Sequence, residues 1–138
     1  SYTLVATGQT LPGQNYYFVP QNKLSLIARY TLPIPQEWGD LSVSGTWAYQ
    51  SHQYLGTQPA DPPFTTIAGG YSIFDLALDW TNILGRNVDA SLFVTNLTDT
   101  VYKLGGFPVY SGVGFASFVY GEPQMYGVRI KYNFGPSR

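Results

Sequence analysis

Two carboxylates, Asp75 and Asp79, stand four residues apart in a stretch that alternates apolar and polar residues. Glycosidases use paired carboxylates for acid–base catalysis, at separations of about 5 to 9.5 Å. On a strand, residues four apart share one face but lie about 13 Å from each other. The spacing therefore argues against a catalytic pair and favours charges on the polar face of a sheet. We expect Arg29, Arg129 or Lys131, from other strands, to neutralise them.

Other residue types that carry chemistry are scarce in this chain. His52 is its only histidine and cysteine is absent, so neither a Ser-His-Asp triad nor a thiolate metal site is indicated. No carboxylate stands within several residues of His52, and a metal site would need ligands from elsewhere. No serine lies in a nucleophile-elbow pattern. We therefore expect no enzymatic activity, no metal and no cofactor.

Two further motifs have structural interpretations. The sequence Asn96-Leu97-Thr98 matches a glycosylation sequon, but Asn and Asp side chains also bond nearby backbone in turns. We predict a turn at the end of a strand, held by Asn96 and Asp99. The glycines between residues 105 and 114 do not follow a strand-to-helix pattern, so we interpret them as a mobile loop rather than a phosphate-binding loop.

The composition restricts the class of protein. Charged residues make up 11% of the 138 residues, against roughly 25% in an average soluble domain, while the hydrophobic fraction is an ordinary 44% and aromatics reach 17%. This combination is typical of membrane β-barrels, in which alternate residues meet lipid, and also of aromatic-rich soluble β-sandwiches such as carbohydrate-binding modules. The net charge of −1 gives no electrostatic reason to expect nucleic acid.

Alternation of apolar and polar residues predicts an all-β chain, an antiparallel up-and-down meander. The predicted strands are residues 23–32, 41–54, 71–81, 88–97 and 124–134, with residues 1–10 a candidate sixth. Each strand has one apolar and one polar face. In the last strand, Tyr126, Val128 and Ile130 lie on the face opposite to Arg129 and Lys131.

The predicted connections alternate in length. Residues 33–40 and 82–87 are short, whereas residues 55–70 and 98–122 are long. Membrane barrels have short periplasmic turns and longer extracellular loops, and strands of roughly 10 to 14 residues are long enough to cross the apolar layer. Aromatic residues near the strand ends resemble interfacial girdles, although an aromatic-rich chain would also place them there by chance. They are Trp38, Trp80, Tyr132 and Phe134 near the short turns, and Tyr49, Tyr54 and Tyr71 near the long loops.

Four segments resemble, in order, the C-terminal end of the TonB-dependent outer-membrane receptors. They are NKLSLIARYTLPIP (22–35), DWTNILG (79–85), SLFVTNLTD (91–99) and GFASFVYGEPQMYGVRIKYNFG (114–135). The resemblance implies a barrel of about 22 strands around an N-terminal plug. It also implies TonB-driven import of scarce, bulky ligands, such as iron–siderophore complexes, across the outer membrane of a Gram-negative bacterium.

The resemblance assigns the chain to the last five or six strands of a large transmembrane barrel, without the plug or the TonB-contacting box. The expected partners are outer-membrane lipid, the barrel-assembly machinery, the TonB system through the missing plug, and an unknown small ligand. Gly127, Ile130, Tyr132 and Phe134 resemble the signal by which the assembly machinery recognises members of the family. The family often has a polar residue two positions before the glycine, where this chain has Met125. The charges expected to face the lumen are Arg29, Asp75, Asp79, Arg129 and Lys131.

Aromatic residues are frequent in the predicted extracellular loops, and exposed loop aromatics commonly bind ligands. The candidates for ligand contact are Tyr17, Phe64, Phe107, Tyr110 and Phe118. The same residues would serve equally well to pack one loop against another.

Two other classes stay open. A soluble β-sandwich binding module would stack its loop aromatics on sugars. A small self-contained barrel would close on its own strands, although five or six fall short of the usual minimum of about eight. The opening residues SYTLVATGQT have neither an initiator Met nor the features of a signal peptide. We therefore expect the sequence to be a piece of a longer protein.

Overall fold

The computed structural model describes residues 2–3, 10–11, 16–56 and 62–134. In this part of the chain the strands are β1 (Tyr2–Thr3), β2 (Thr10–Leu11), β3 (Lys23–Thr31), β4 (Asp40–Gln50), β5 (Gln53–Tyr54), β6 (Ile67–Ala68), β7 (Tyr71–Thr81), β8 (Val88–Thr95), β9 (Lys103–Pro108), β10 (Ala116–Tyr120) and β11 (Met125–Tyr132). The helices are α1 (Pro63–Thr66) and α2 (Tyr110–Val113), with 3₁₀ turns at Gln36–Trp38 and Ile83–Gly85. The predicted all-β class is confirmed. None of the helices described is long and apolar enough to cross a membrane.

One five-stranded antiparallel sheet, which we call the main sheet, contains all five predicted strands. Its order is β3, β4, β7, β8 and β11, so that each strand pairs with the next predicted strand along the chain. This is the predicted up-and-down meander. β3 and β11 are the two edges of the main sheet as described.

Three predicted strand ends are wrong: β11 ends at Tyr132 rather than at residue 134, and β4 and β8 also end early. β4 ends at Gln50 rather than at residue 54, because residues 53–54 leave the main sheet and pair with β6 instead. Tyr54 is therefore not part of a girdle on the main sheet. β8 ends at Thr95, because Asn96 adopts a left-handed backbone conformation with φ 48° and turns the chain away from the ladder.

The long connections are more ordered than the sequence predicts. In the second of them, β9 and β10 form an antiparallel hairpin through α2, and the first contains β5, α1 and β6. Gly106 lies under the Phe118 ring, where a Cβ would come within 2.7 Å of that ring and 2.9 Å of the Ser117 carbonyl oxygen. Glycines that suggest a mobile loop in the sequence thus belong in part to a strand that a side chain crosses closely.

The chain divides into two compact units. The sheet unit comprises residues 22–50, 71–101 and 122–138, and the connection unit comprises residues 1–21, 51–70 and 102–121. Among the residues described, the buried apolar side chains are Leu55, Ala68 and Pro108, all in the connection unit. The described part of the sheet unit buries Ser42 and Asn96 but no apolar side chain. As far as it is described, the main sheet therefore has no apolar core of its own.

Candidate functional site

The register of the main sheet gathers apolar side chains of all five strands on one surface, which we call the apolar face. Directly paired residues of antiparallel strands lie on the same face of a sheet. The pairing aligns Tyr30, Val43, Leu78, Leu92 and Val128 in one row. The two neighbouring rows are Ala28, Gly45, Leu76, Val94 and Tyr126 on one side, and Leu41, Trp80, Ala90 and Ile130 on the other.

Every strand of the main sheet contributes exposed side chains to the apolar face, whereas Leu41, Leu78, Trp80, Ala90 and Val94 are half-buried. Leu26 is 61% exposed, Val128 65% and Ile130 73%, and the paired positions of this face hold no charged residue. In a soluble domain, side chains of this kind form the core, and a contiguous exposed apolar patch marks contact with another protein or with a membrane. The apolar face therefore needs a cover outside the main sheet.

Charged and hydroxyl side chains lie on the opposite surface, which we call the polar face. One of its rows consists of Thr31, Ser42, Asp79, Ser91 and Arg129. Asp79 Oδ1 accepts a hydrogen bond from Ser91 Oγ at 2.7 Å, and Asp79 Oδ2 lies 3.9 Å from Arg29 Nη2. The same guanidinium donates to Ser42 Oγ at 2.7 Å. These contacts join β3, β4, β7 and β8 across the polar face.

The other two basic residues predicted to neutralise the aspartates have different surroundings. The guanidinium carbon of Arg129 lies 5.8 Å from the centre of the Phe93 ring. Lys131 is paired with Asp89, whose Oδ2 accepts a hydrogen bond from Asn133 Nδ2 at 3.2 Å. Of the three predicted partners, the structure therefore brings only Arg29 into ion-pairing distance of Asp79, within the residues described.

Asp75 belongs to a turn. Its Oδ1 accepts a hydrogen bond from the backbone N–H of Asn96 at 2.8 Å. Asn96 is 2% exposed, and its Nδ2 donates to the carbonyl oxygens of Thr100 and Glu122 at 3.0 Å each, while its Oδ1 accepts from the Thr100 N–H at 2.9 Å. Asp99 Oδ1 accepts a bond from the backbone just before β11. The predicted turn at Asn96 and Asp99 is confirmed, and it ties the end of β8 to the start of β11.

The residues of the predicted assembly signal fall on both faces. Gly127 pairs with Phe93 on the polar face, and a Cβ on Gly127 would lie 2.6 Å from the tip of that ring. Ile130 and Tyr132 lie on the apolar face, and the Tyr132 ring packs edge-on against Phe134 at 4.7 Å. Gly127 therefore leaves room for the Phe93 ring to pack against β11, a role that is separate from any recognition by the assembly machinery.

Aromatic residues also lie at the end of the main sheet that carries the short turns. The Trp80 indole N–H donates to the Trp38 carbonyl oxygen at 2.7 Å, which holds the first short turn against β7. At the end with the long connections, the Trp47 ring lies 6.5 Å from Tyr49 and 6.3 Å from Phe74. Aromatic residues with specific contacts therefore lie near both ends of the main sheet.

All five aromatic candidates for ligand contact lie in the connection unit. Phe64 and Tyr110 pack edge-to-face with ring centres 6.2 Å apart. Lys103 Nζ lies 3.8 Å from the centre of the Phe118 ring and donates to the Phe64 carbonyl oxygen at 3.0 Å. Three of the five are therefore engaged in packing between one connection and the other.

The remaining two candidates line one open depression. Tyr17 and Phe107 border it together with Phe18 and Leu55, and Phe107 is 64% exposed. His52 is exposed, and its ring packs edge-on against Tyr54 at 5.8 Å. Contact of these aromatics with a ligand stays a prediction. In the part of the chain described, no three His, Cys, Asp or Glu side chains come together as metal ligands would.

Three polar residues that take part in the contacts described above were not among the site residues predicted from the sequence: Ser42, Ser91 and Lys103. Alternation puts both serines on the polar face, but only the strand register shows that Ser42 and Ser91 flank Asp79. Lys103 sits in a segment predicted to be a loop, so the sequence contained no signal for its contacts.

Compared with known proteins, the chain matches no family model, no curated protein and no solved structure.

Proposed function

We propose that this chain is a wall segment of a transmembrane β-barrel, from the C-terminal part of a TonB-dependent receptor in the outer membrane of a Gram-negative bacterium. The observation that carries the proposal is the apolar face, which is continuous over five strands, uncharged and exposed. Barrel strands in membranes alternate between lipid-facing apolar residues and lumen-facing polar residues. The apolar face would meet lipid, and the polar face would line the lumen.

Strand length and connection length support the same proposal. β4 and β7 have 11 residues each, which agrees with the 9–11 residues or so of a tilted membrane-spanning strand. The two short turns lie at one end of the main sheet and the two long connections at the other, as with periplasmic turns and extracellular loops. In this orientation the long connections would be extracellular loops and would help to shape the ligand entrance.

In the parent receptor the contribution of this segment would be structural. The edges β3 and β11 would pair with further strands, because an unpaired strand edge is not tolerated in lipid. The polar face would contact the plug, through which TonB acts. The segment itself would carry out no chemistry and would need no cofactor.

The two alternative classes require features that the described residues lack. A soluble β-sandwich covers its apolar face with a second sheet. On the main sheet, by contrast, every strand has exposed apolar side chains on this face, among them Leu26, Val43, Leu76, Leu92 and Val128. A self-contained barrel would pair its first and last strands, whereas β3 and β11 are both edges within the residues described. Both observations favour the membrane-wall proposal.

Adjacent aliphatic residues on β3 provide a matched test of the lipid-facing side. Leu26 lies on the apolar face and Ile27 on the polar face, and they are 61% and 73% exposed. We expect Leu26→Lys in the full-length protein to reduce insertion into lipid vesicles, and Val128→Lys, in the central row, to reduce it further. A lysine on the lipid face costs about 2–4 kcal/mol at the midplane and less near the interface. Ile27→Lys should insert normally.

Insertion is measured as the fraction of protein that resists protease and urea extraction after mixing with vesicles. Equal losses for Leu26→Lys and Ile27→Lys would contradict the assignment of the lipid side. Recovery of the unsubstituted protein in the aqueous fraction without detergent would refute the membrane location itself.

A further inference from the structure

One strand of the connection unit, β10, has an open edge. β10 is hydrogen-bonded to β9 on one side, and no other strand in the described part of the chain pairs with it. β9 lies inside the unit, because α1 and β6 pack against it and Gln53 Nε2 donates to the Leu104 carbonyl oxygen at 3.1 Å. On β10, Ser117 is exposed, Val119 is 61% exposed and Tyr120 52%. The hairpin therefore presents β10 to its surroundings.

This edge lacks the features that keep strand edges from pairing. Backbone N–H and C=O groups on the outer side of β10 have no backbone partner among the residues described. Proteins usually protect such an edge with charged side chains, proline or a bulge. β10 contains no charged residue and no proline. The irregularity of the hairpin falls on β9, at Leu104, so β10 has no extra residue of its own.

The two edges of the main sheet differ from β10 in charge. β3 carries Lys23 and Arg29, and β11 carries Arg129 and Lys131, without an acidic residue on either strand. Two copies of such an edge would bring like charges together, which is unfavourable between paired strands. β10 is neutral, so electrostatics does not oppose its pairing with an identical strand.

We propose that β10 pairs antiparallel with β10 of a second copy of this chain, so that the two hairpins form one four-stranded sheet. A two-fold axis at Phe118 would put Phe118 opposite itself, Ser117 opposite Val119 and Ala116 opposite Tyr120. A small side chain of one copy then meets a larger one of the other at each of these unlike pairs. Aromatic pairs across strands are stabilising, and within one copy the Phe118 and Tyr120 rings already pack edge-on at 6.5 Å.

The dimer is weak and reversible. Five residues of each copy make a contact well below the standard protein interface of about 1,600 Å². The proposal goes beyond the proposed function, which needs no second copy. In the barrel, β3 and β11 would pair with neighbouring wall strands and lipid would cover the apolar face, which leaves β10 as the edge open to a partner.

Two valines of nearly equal exposure supply a matched test. Val119 on β10 is 61% exposed, and Val113 on α2 is 60% exposed. The full-length protein is placed in detergent micelles, which cover the apolar face, and its mass is measured by sedimentation equilibrium at increasing protein concentration. We expect a monomer–dimer equilibrium. Val119→Lys should raise the dissociation constant at least about tenfold, whereas Val113→Lys should leave it unchanged.

The double variant Ser117→Glu/Val119→Lys tests the register of the two copies. In the two-fold arrangement the introduced lysine of each copy lies opposite the introduced glutamate of the other. We therefore expect the double variant to recover most of the affinity that Val119→Lys loses. Insertion into lipid vesicles is the control for folding, and all variants should insert normally because none of these positions lies on the main sheet.

Three results would overturn the proposal. They are a monomer at every concentration, a dimer that Val119→Lys leaves intact, and a double variant that associates no more tightly than Val119→Lys. The insertion test is independent of all three. Normal insertion of a protein that stays monomeric would remove the dimer and leave the barrel-wall proposal standing, whereas a β10-dependent dimer that does not insert would do the reverse.

Discussion

At the scale of single residues, the two aspartates of β7 show how similar side chains acquire different roles. Asp79 joins neighbouring strands through Ser91 and Arg29, whereas Asp75 holds the backbone of Asn96. Their types and spacing in the sequence exclude a reaction centre but do not distinguish these roles. The partners that distinguish them come from other strands.

Gly127 allows a prediction at this scale, because two explanations of the same residue compete. A Cβ at Gly127 would lie 2.6 Å from the tip of the Phe93 ring. We expect Gly127→Ala to lower the free energy of unfolding by about 1–2 kcal/mol, since the ring must shift to make room. The measurement is urea unfolding of the full-length protein in detergent micelles.

The double variant Gly127→Ala/Phe93→Leu separates packing from recognition by the assembly machinery. If packing is the role of Gly127, the smaller side chain at position 93 relieves the clash and recovers much of the loss. A double variant that is as stable as the unsubstituted protein in micelles but fails to assemble in cells would assign Gly127 to recognition instead.

At the scale of elements, the turn after β8 is held by several hydrogen bonds of a single side chain, that of Asn96. The Asn96 side chain makes three hydrogen bonds while almost fully buried, and its backbone is left-handed. We expect Asn96→Ala to destabilise the sheet by about 3 kcal/mol or more, because buried backbone groups lose their partners and alanine disfavours this conformation. Loss of the folded fraction at increasing urea concentration in micelles measures the effect.

Thr98 is the control within the same turn. Its hydroxyl bonds that of Thr100 at the surface, so Thr98→Ala should cost less than about 0.5 kcal/mol. Asn96→Gly keeps the left-handed conformation without strain and should recover the backbone part of the loss alone. An Asn96→Ala variant as stable as Thr98→Ala would show that the turn does not hold β8 to β11.

Alternation in the sequence does not predict the strands inside the long connections. β9 contains two adjacent glycines, and β10 is five residues long, so neither shows enough alternation to be recognised. The five main strands are 8 to 11 residues long and alternate over most of their length, with exceptions such as Ile27 and Phe93 on the polar face. Period-two alternation is a reliable signal only when it persists and one face meets a different medium from the other.

At the scale of the whole molecule, the main sheet presents an uncovered apolar face and two strand edges within the residues described. Apolar surface is driven from water at about 25 cal/mol per Å², and bare edges pair with other chains. We therefore expect the 138-residue chain alone to self-associate in detergent-free buffer and to disperse in micelles. Sedimentation velocity in the two solvents measures this, and a monodisperse monomer in detergent-free buffer would contradict it.

The sequence by itself determined the all-β class, the five main strands, their two-faced character and the turn at Asn96, because each depends on residues that are neighbours along the chain. The tertiary structure alone decided which residues meet across strands: the apolar rows, the group around Asp79 and the fit of Phe93 over Gly127. These depend on register, and a shift of one residue in pairing would move every side chain to the other face. Alternation therefore shows which side chains of one strand share a face. Only the pairing of strands shows which side chains of neighbouring strands meet on that face.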